Sequence, residues 1–430
     1  MTGSIKRLMI NLYKLHNQVK HYEWGSANLI PRLLGAQSDG SPWAELWMGS
    51  NADSPSLVSL PSGDISLREL IAGDPRRYLG EKTAGRYGEL PFLFKLLAAE
   101  KPLSIQAHPN LAQAREGFER ENRAQIAHNA HNRNYRDANH KPEIICALTP
   151  FTGMCGFRSP GEIAQFLSVF FDEAALREGF TPLLRALEMP EPTAEAESRG
   201  SPPAQSLALQ TFFGTLFSLP REARQALTDF ILSARDTGGE WELMREFARQ
   251  YPNDPAIIAP LYLNVFHLEP GEAIFINAGI LHAYIHGLGV ELMANSDNVL
   301  RGGLTPKHVD VPELMNVLDF TPMQPRIIKP EPDSGCFTYP APCEEFSLTV
   351  MCGEGEPQTA NFARNAPAIC IVTEGEVSLC GAVLKQGEAA FIPVRGESGN
   401  AADPLVLQGH FTLYAASVPG EQAPGELAPL

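Results

Sequence analysis

The sequence predicts a mainly β protein with a helical insertion, and three features of its 430 residues point to this class. Residues 1–150 consist largely of short apolar or alternating segments separated by Pro and Gly, a pattern typical of strands. Residues 157–255 carry apolar side chains at helical spacing, and strand patterns return from Pro260 onward. A nine-residue segment also recurs about 116 residues later. We therefore expect two β-barrel or jelly-roll units, with helices inserted between the strand-rich parts.

The repeated segment reads LEPGEAIFI at Leu268–Ile276 and LKQGEAAFI at Leu384–Ile392. Each copy predicts a strand, a Gly turn and a second strand. Eight of the eleven His lie between residues 108 and 308, and His282 follows the first copy closely. The second copy is followed by Pro393 and has no His beside it. Any metal site is therefore expected in the first barrel, and the second barrel is expected to lack one.

Helices in the insertion are predicted from local signals. Ser159-Pro160-Gly-Glu162 forms a capping box with Pro at the first helical position, which predicts a helix start. Apolar periodicity predicts three further helices, at Leu207–Ser218, Arg221–Ala234 and Glu240–Arg249. Residues 190–205, PEPTAEAESRGSPPAQ, are rich in Pro, Glu and Ser and predict a loop.

Two predicted strands carry groups able to bind a metal. The alternation within Lys101–His108 predicts a strand with a polar face that contains Ser104, Gln106 and His108. A second strand is predicted at Pro142–Leu148 and contains Glu143 near its start. Together with His282, these segments supply two imidazoles, one carboxylate and one amide, which are possible zinc ligands. On the residues alone, a polar hydrogen-bond network around His108 is favoured over a metal site.

The segment Gly289–Val311, GVELMANSDNVLRGGLTPKHVDV, is dense in groups able to act on an anionic polyol. Glu291 alternates with Val290 and Leu292, so it can point into a barrel while they pack outside. The run GGLTPK that follows Arg301 lacks the Gly-Lys-Ser/Thr ending of a phosphate-binding loop, which argues against an NTPase. A polar surface loop is the competing interpretation of this segment.

The composition excludes several classes of partner. The chain has 34 basic and 50 acidic residues, a net charge of −16, which disfavours binding to nucleic acid or to an anionic membrane surface. A small anionic substrate needs only a local cluster of Arg and Lys. No apolar run reaches the roughly 20 residues of a membrane helix. The N-terminus has no sustained apolar segment and the seven Cys form no CxxC pair, so we expect a cytoplasmic protein with reduced thiols.

Several segments in order between about residue 19 and residue 320 resemble the type I mannose-6-phosphate isomerases. They are PWAELWMGS, LPFLFKLL, PLSIQAHPN, NYRDANHKPE, HAY and ELMANSDNVLRGGLTPKHVDVPEL. The resemblance implies a zinc enzyme of the cupin superfamily, with one Zn²⁺ per chain, that interconverts mannose 6-phosphate and fructose 6-phosphate through a cis-enediol. It further implies a small phosphosugar as the partner, with neither nucleic acid nor membrane, and we expect a monomer.

The resemblance also implies roles for individual residues. The metal ligands by motif are Gln106, His108, Glu143 and His282. Arg301 matches the catalytic Arg and is expected to stabilise charge, because a guanidinium stays protonated. Glu291 is our candidate for the base, with zinc-bound water, Lys141 and His140 as competitors. The candidate substrate contacts are Lys95, Ser104, Lys141 and Lys307, and Asp297 and Asn298 are expected to support the site.

The predicted architecture is two cupin-like jelly-roll barrels plus an α-helical domain. Residues 1–155 and 257–328 form the two segments of the catalytic cupin barrel, residues 156–256 form the helical insertion, and residues 329–430 form a C-terminal cupin-like barrel without a metal site. A different cupin enzyme, such as an iron dioxygenase or a sugar epimerase, is one alternative. A non-enzymatic sugar-binding cupin is another, but it would be expected to have lost a ligand, Arg301 or Glu291.

Overall fold

The computed structural model describes residues 12–171, 174–188, 203–235, 238–331, 335–360, 362, 366–394 and 405–419. Within these ranges the fold class is confirmed: two large antiparallel sheets are accompanied by helices that are concentrated between residues 160 and 262. A loop was expected at residues 190–205, of which residues 190–202 lie outside the described residues. Its last two residues already belong to a helix.

The strands, in chain order, are β1 Tyr13–His16, β2 Gln18–Lys20, β3 Glu45–Met48, β4 Leu57–Leu60, β5 Gly63–Ser66, β6 Phe92–Ala99, β7 Gln106–Ala107, β8 Glu143–Ala147, β9 Phe151–Phe157, β10 Leu263–Leu268, β11 Ala273–Ile276, β12 His282–Ala294, β13 Leu300–Arg301, β14 Ile327–Ile328, β15 Cys336–Tyr339, β16 Ser347–Glu354, β17 Gln358–Ala360, β18 Ala368–Leu379, β19 Ala382–Lys385, β20 Ala389–Ile392 and β21 Leu405–Ser417. The α-helices are α1 Leu29–Leu33, α2 Leu67–Gly73, α3 Pro75–Tyr87, α4 Leu111–Arg123, α5 Pro160–Leu167, α6 Ala174–Leu187, α7 Ala204–Phe217, α8 Arg221–Ser233, α9 Gly239–Gln250, α10 Ala259–Tyr262 and α11 Val311–Val317. Short 3₁₀ helices cover Ser168–Phe171 and Pro255–Ile258.

The predicted helices of the insertion are confirmed to within a few residues. Helix α5 begins with the capping box between Ser159 and Glu162, and Pro160 occupies its first turn. Helices α7, α8 and α9 correspond to the three periodic segments. The apolar faces of these helices meet in one core, which continues into the first sheet through Ala107 of β7 and Ala283 of β12.

The strand predicted over Lys101–His108 is shorter than expected, because only Gln106–Ala107 pair as β7. Pro102 has no amide hydrogen to donate to a ladder. The N–H groups of Leu103 and Ile105 donate to different segments, at Tyr284 O and Gly303 O. The segment is therefore extended but not part of a continuous ladder. The second strand, β8, lies within its predicted range.

The first sheet has the order β14-β11-β8-β12-β6-β3-β2, with β7, β9, β10 and β13 attached beside it. Strand β12 lies at its centre and pairs with β6 and β8 along one half and with β9 and β7 along the other. The second sheet has the order β15-β16-β21-β18-β20-β1-β4-β5. Strand β1 thus pairs with β20, so the N-terminal strands join the C-terminal sheet. The domain division of the chain stays a prediction.

The two copies of the repeat adopt the same local structure. Gly271 and Gly387 both have positive φ, 88° and 83°, which a residue with a side chain adopts only with strain. In each copy the following Glu accepts a hydrogen bond from the backbone N–H three residues earlier, at 3.0 Å for Glu272 and 2.8 Å for Glu388. Apolar side chains fill the interior beside the second copy, among them Val372, Ile392 and Leu413.

Candidate metal centre and active site

Three of the four residues expected to bind a metal lie in paired strands of the first sheet, and His108 directly follows one of these strands. Gln106 of β7 is paired with His282 at the start of β12, and His108 follows two residues after Gln106. Glu143 opens β8 and is paired with Met293 near the end of β12. Pairing in an antiparallel sheet puts partner side chains on the same face. The fold therefore brings these distant segments together.

His108, Glu143 and His282 form a compact buried cluster whose potential ligand atoms all lie within 4.8 Å of one another. Glu143 Oε1 is 2.8 Å from His282 Nε2, and Glu143 Oε2 is 3.5 Å from His108 Nε2. The Tyr284 hydroxyl donates to Glu143 Oε1 at 3.1 Å. His108 Nε2 and Glu143 Oε2 are buried and have no hydrogen-bond partner. Since buried polar atoms are nearly always satisfied, a bound cation fits this cluster.

The two imidazole rings are oriented by backbone carbonyls. His108 Nδ1 is 2.6 Å from Asn298 O, and His282 Nδ1 is 2.9 Å from Ile280 O. A carbonyl only accepts, so each Nδ1 carries the hydrogen and each Nε2 lone pair is directed at the cluster. This arrangement is the usual support for metal-binding His residues. Gln106 lies beside them, with its Nε2 3.4 Å from His282 Nε2. A rotation of its amide would present the oxygen instead.

Charge and burial keep this cluster ready for a cation. Burial lowers the pKa of His108 to about 4, with a further contribution from Lys141. Burial alone would raise the pKa of Glu143, but His282 and the other neighbours outweigh it and hold that pKa well below the usual range. A neutral imidazole and an ionised carboxylate are the forms that bind metals.

A second buried charged group lies on the same face of the sheet. Lys95 Nζ is 2.9 Å from Glu291 Oε2 and 3.4 Å from Glu45 Oε1. Burial opposes the charge of Lys95, but the two carboxylates raise its pKa above the ordinary value. Burial raises the pKa of Glu291. Lys95 lowers it, but the nearby acidic groups Glu143 and Glu45 raise it further. Burial and the neighbouring acidic groups thus oppose the ionisation of Glu291, whereas its ion pair with Lys95 favours it.

The cavity above these groups has a volume of about 980 Å³. The predicted catalytic and substrate residues all line it, namely Lys95, Ser104, Lys141, Glu291, Arg301 and Lys307. Gln106 also reaches its wall, whereas His108, Glu143 and His282 lie behind it. The sequence therefore identified side chains that the fold brings together around one space.

One end of the cavity carries positive charge. Burial and the neighbouring Arg136 lower the pKa of Arg301, and burial together with Arg301 lowers the pKa of Lys307. Among the described residues no carboxylate lies within ion-pair distance of Arg136, Arg301 or Lys307. Three cations without a carboxylate partner at the edge of a cavity create a local positive potential that attracts anions.

Arg136 was missed by the sequence analysis, although it lies within the segment NYRDANHKPE. Asn298, fully buried, holds it in place: Asn298 Oδ1 accepts hydrogen bonds from the backbone N–H groups of Arg136 and Asp137, at 2.7 and 3.2 Å. The same residue supports His108 through its carbonyl oxygen. Asn298 therefore connects the cationic end of the cavity to the metal cluster, consistent with its expected supporting position.

Among the described residues, no helix is both long and apolar enough to cross a membrane.

The site combines a buried cluster of two His and one Glu with a cavity that has a cationic end. This combination is typical of metal-dependent enzymes that act on small anionic substrates. The family model for the catalytic domain of type I phosphomannose isomerase matches residues 12–160. Mannose-6-phosphate isomerase of Escherichia coli is 38% identical over 93% of this chain and 97% of its own length. A probable mannose-6-phosphate isomerase of Caenorhabditis elegans is 31% identical over 96% of this chain and 97% of its own length.

Solved structures give the same result. A variant of phosphomannose isomerase from Salmonella typhimurium superimposes with a TM-score of 0.81 at 34% identity, over 95% of this chain and 99% of its own. A zinc-bound mannose 6-phosphate isomerase superimposes with a TM-score of 0.80 at 34% identity, over the same shares of the two chains. The chain belongs to the type I phosphomannose isomerases. The resemblance drawn from its motifs and the expectation of an enzyme are thereby confirmed.

Proposed function

We propose that this chain is a zinc-dependent isomerase that interconverts mannose 6-phosphate and fructose 6-phosphate through a cis-enediol. The observation that carries the proposal is the buried cluster of His108, Glu143 and His282, with two polar atoms that make no hydrogen bond, beside a cavity that has a cationic end. Such a cavity suits a substrate with a phosphate at one end and a carbonyl at the other. Family membership supports both the reaction and the metal.

The metal would be held by Gln106, His108, Glu143 and His282. Two neutral imidazoles, one carboxylate and one amide oxygen make a donor set that zinc accepts. Bound there, zinc would supply Lewis acidity, which polarises the sugar carbonyl and offsets negative charge that develops on oxygen. Because only one of the four ligands is anionic, more of the positive charge remains available to the substrate. This ligand assignment is a proposal that the two buried atoms without a hydrogen bond support.

Glu291 is proposed as the group that moves the proton between C1 and C2 of the open sugar. Its carboxyl lines the cavity, and its pKa is raised by burial and by neighbouring acidic groups, which brings a carboxylate closer to the range of an effective base. Lys95 holds it at 2.9 Å and limits the orientations of the carboxyl. His140 is a weaker candidate, because its Nε2 is 2.9 Å from Glu345 and it does not line the cavity.

Arg301 is proposed to stabilise the negative charge of the enediol intermediate. Strand β13 pairs Arg301 with Gln106. The backbone of Arg301 therefore lies next to one of the proposed metal ligands. It lines the cavity and has no ion-pair partner among the described residues. A delocalised cation that stays protonated can hold an oxyanion through hydrogen bonds without exchanging a proton itself.

The substrate contacts divide between two parts of the cavity. We assign the phosphate to Lys307 at the cationic end, with Arg136 as an additional contact. Lys95, Ser104 and Lys141 are assigned to the sugar. Lys141 Nζ is 3.8 Å from Glu143 Oε2, and Lys95 is already paired with two carboxylates, so neither is free to bind a distant phosphate. A monomeric, cytoplasmic enzyme remains our expectation.

A coupled assay of mannose 6-phosphate conversion tests the proposal. We expect turnover by the purified protein, loss of turnover on treatment with a chelator, and recovery on addition of zinc. Unphosphorylated mannose should turn over far more slowly at the same concentration, because it lacks the group bound by the cationic end. Chelator-resistant turnover, or absence of turnover with zinc present, contradicts the proposal.

A further inference from the structure

The loop of residues 340–346, which connects β15 to β16 in the C-terminal sheet, is held firmly against the catalytic part of the chain. Phe346 is fully buried, and its ring centroid is 6.5 Å from that of Phe275. Arg86 forms an ion pair with Glu344, and the Tyr87 hydroxyl donates to Glu344 O at 3.2 Å. The backbone on both sides of residue 345 is therefore fixed by contacts with other elements.

Glu345 uses this fixed position to hold His140. Its Oε1 accepts from His140 Nε2 at 2.9 Å, and its Oε2 accepts from the backbone N–H of Glu344 at 3.2 Å. The two side chains are 17% and 26% exposed, so the pair is partly shielded from water. A partly buried charge-assisted hydrogen bond restrains both partners more than a surface ion pair does.

His140 is directly followed by Lys141, which lines the cavity and whose side chain is 9% exposed. Beyond it, the Pro142 carbonyl accepts from Ala294 N–H at 3.0 Å, and Glu143 belongs to the metal cluster. Segment 140–143 is thus restrained at His140, at Pro142 and at Glu143. The restraint on the His140 side comes from the C-terminal sheet.

We propose that Glu345 is a positioning residue of the active site, which holds His140 and thereby sets the position of Lys141 in the cavity. The C-terminal sheet, whose own interior is filled with apolar side chains, then takes part in substrate binding through this single carboxylate. The inference rests on the assignment of Lys141 to the substrate in the proposed function.

Steady-state kinetics of three variants test the role of Glu345. Replacing Glu345→Ala should raise KM for mannose 6-phosphate about fivefold to tenfold and leave kcat within about twofold, because a misplaced Lys141 loses uniform binding. Glu345→Gln keeps an acceptor of the same length and should restore KM to within about twofold of the parent. Glu354→Ala removes an exposed carboxylate at the far end of β16, which makes none of these contacts, and it should leave KM unchanged. An unchanged KM in Glu345→Ala overturns the inference.

A double-mutant cycle tests whether Glu345 acts through Lys141. Lys141→Met alone should raise KM, and adding Glu345→Ala should raise it by less than about twofold more, since the group being positioned is already gone. Effects that multiply overturn the inference. If KM rises with Lys141→Met but not with Glu345→Ala, the inference about Glu345 is wrong and the assignment of Lys141 to the substrate stands. If Lys141→Met has no effect, both are wrong.

Folding is checked by circular dichroism and thermal unfolding. His140→Leu breaks the same pair from the other side and should reproduce the KM of Glu345→Ala. It provides the test if Glu345→Ala does not fold. A parental KM in folded His140→Leu contradicts the inference.

Discussion

Replacing Asn298→Asp should destabilise the protein strongly, although the two side chains have almost the same shape. Asn298 Nδ2 donates to Asp137 O and Asn139 O, both at 2.9 Å, and lies 3.2 Å from Asp137 Oδ1. The substitution removes both donor hydrogens. It also replaces the amide nitrogen with a carboxylate oxygen, which then faces three acceptor oxygens. Asn298 has no exposed surface, so water cannot compensate.

The size of the effect follows from these contacts. Two lost hydrogen bonds cost about 1 kcal/mol each, and the acceptors left unsatisfied add about 1–3 kcal/mol. We therefore expect the free energy of unfolding to fall by about 3–5 kcal/mol when the new carboxyl is ionised. When protonated, that carboxyl can donate one bond and recover about 1 kcal/mol or more.

The pH dependence has a defined sign. Burial against Asp137, whose own pKa is already raised chiefly by burial, should raise the pKa of the new carboxyl in the folded state. The folded state of the variant then binds more protons than its unfolded state, so its stability relative to the parent falls as pH rises. The loss of stability relative to the parent should grow as pH rises from the unfolded pKa of about 4 towards the raised folded value. It should therefore be smaller at about pH 5 than at about pH 8.

Urea unfolding of parent and variant at both pH values, with matched zinc loading, measures this deficit. Asn277→Asp is the matched control, because Asn277 is exposed and its Oδ1 accepts from Ala278 N–H at 2.8 Å, a bond that a carboxylate retains. The control should stay within about 0.5 kcal/mol of the parent. A deficit for Asn298→Asp below about 0.5 kcal/mol, or one that shrinks as pH rises, refutes the reasoning.

The remaining predictions concern the metal centre and the catalytic groups. His282→Ala should lose both bound zinc, measured by elemental analysis, and turnover; normal turnover without metal contradicts the ligand assignment. Arg301→Ala should lower kcat far more than zinc content, roughly 10²-fold or more if it stabilises the intermediate, and an unchanged kcat removes its catalytic role. The zinc-free protein should lose stability as pH falls below about 6.5. The reason is that His108, with its pKa of about 4, binds fewer protons when folded than when unfolded. Urea unfolding at pH 5 and 7 measures this change, and equal stability at the two pH values contradicts it. Anomalous scattering should find one zinc per chain, in the first barrel, and a second ion in the C-terminal barrel would contradict the prediction of a metal-free unit.

The part of the fold that could be predicted was set by local pattern. The capping box at Ser159 fixed a helix start, and the repeat at Leu268–Ile276 and Leu384–Ile392 identified two related β units. The pairing of β1 with β20 was not predictable, because partners almost 400 residues apart leave no periodic signal in a single sequence. The short β7 was overestimated, because alternation shows an extended backbone but not whether a neighbour is available for a ladder.

The site divides in the same way. The cavity-lining residues were identified because they lie in segments resembling one family, and the structure brings them to one space. Arg136 was missed because a guanidinium in a polar segment looks like ordinary surface until the fold shows that it lacks a carboxylate partner. The net charge of −16 gave no indication of this cationic end. Three local cations can attract a small anion whatever charge the rest of the surface carries.

The central strand explains how one face can hold both the metal ligands and the proposed base. His282 and Glu291 are nine residues apart on β12, so strict alternation would put them on opposite faces. The register against β9 shifts between Tyr284 and His286, which adds one residue to β12. This bulge reverses the alternation, and Glu291 then shares the face of His282 and Tyr284. The nine-residue separation therefore needs this bulge, because without it strict alternation would turn one of the two groups away from the cavity.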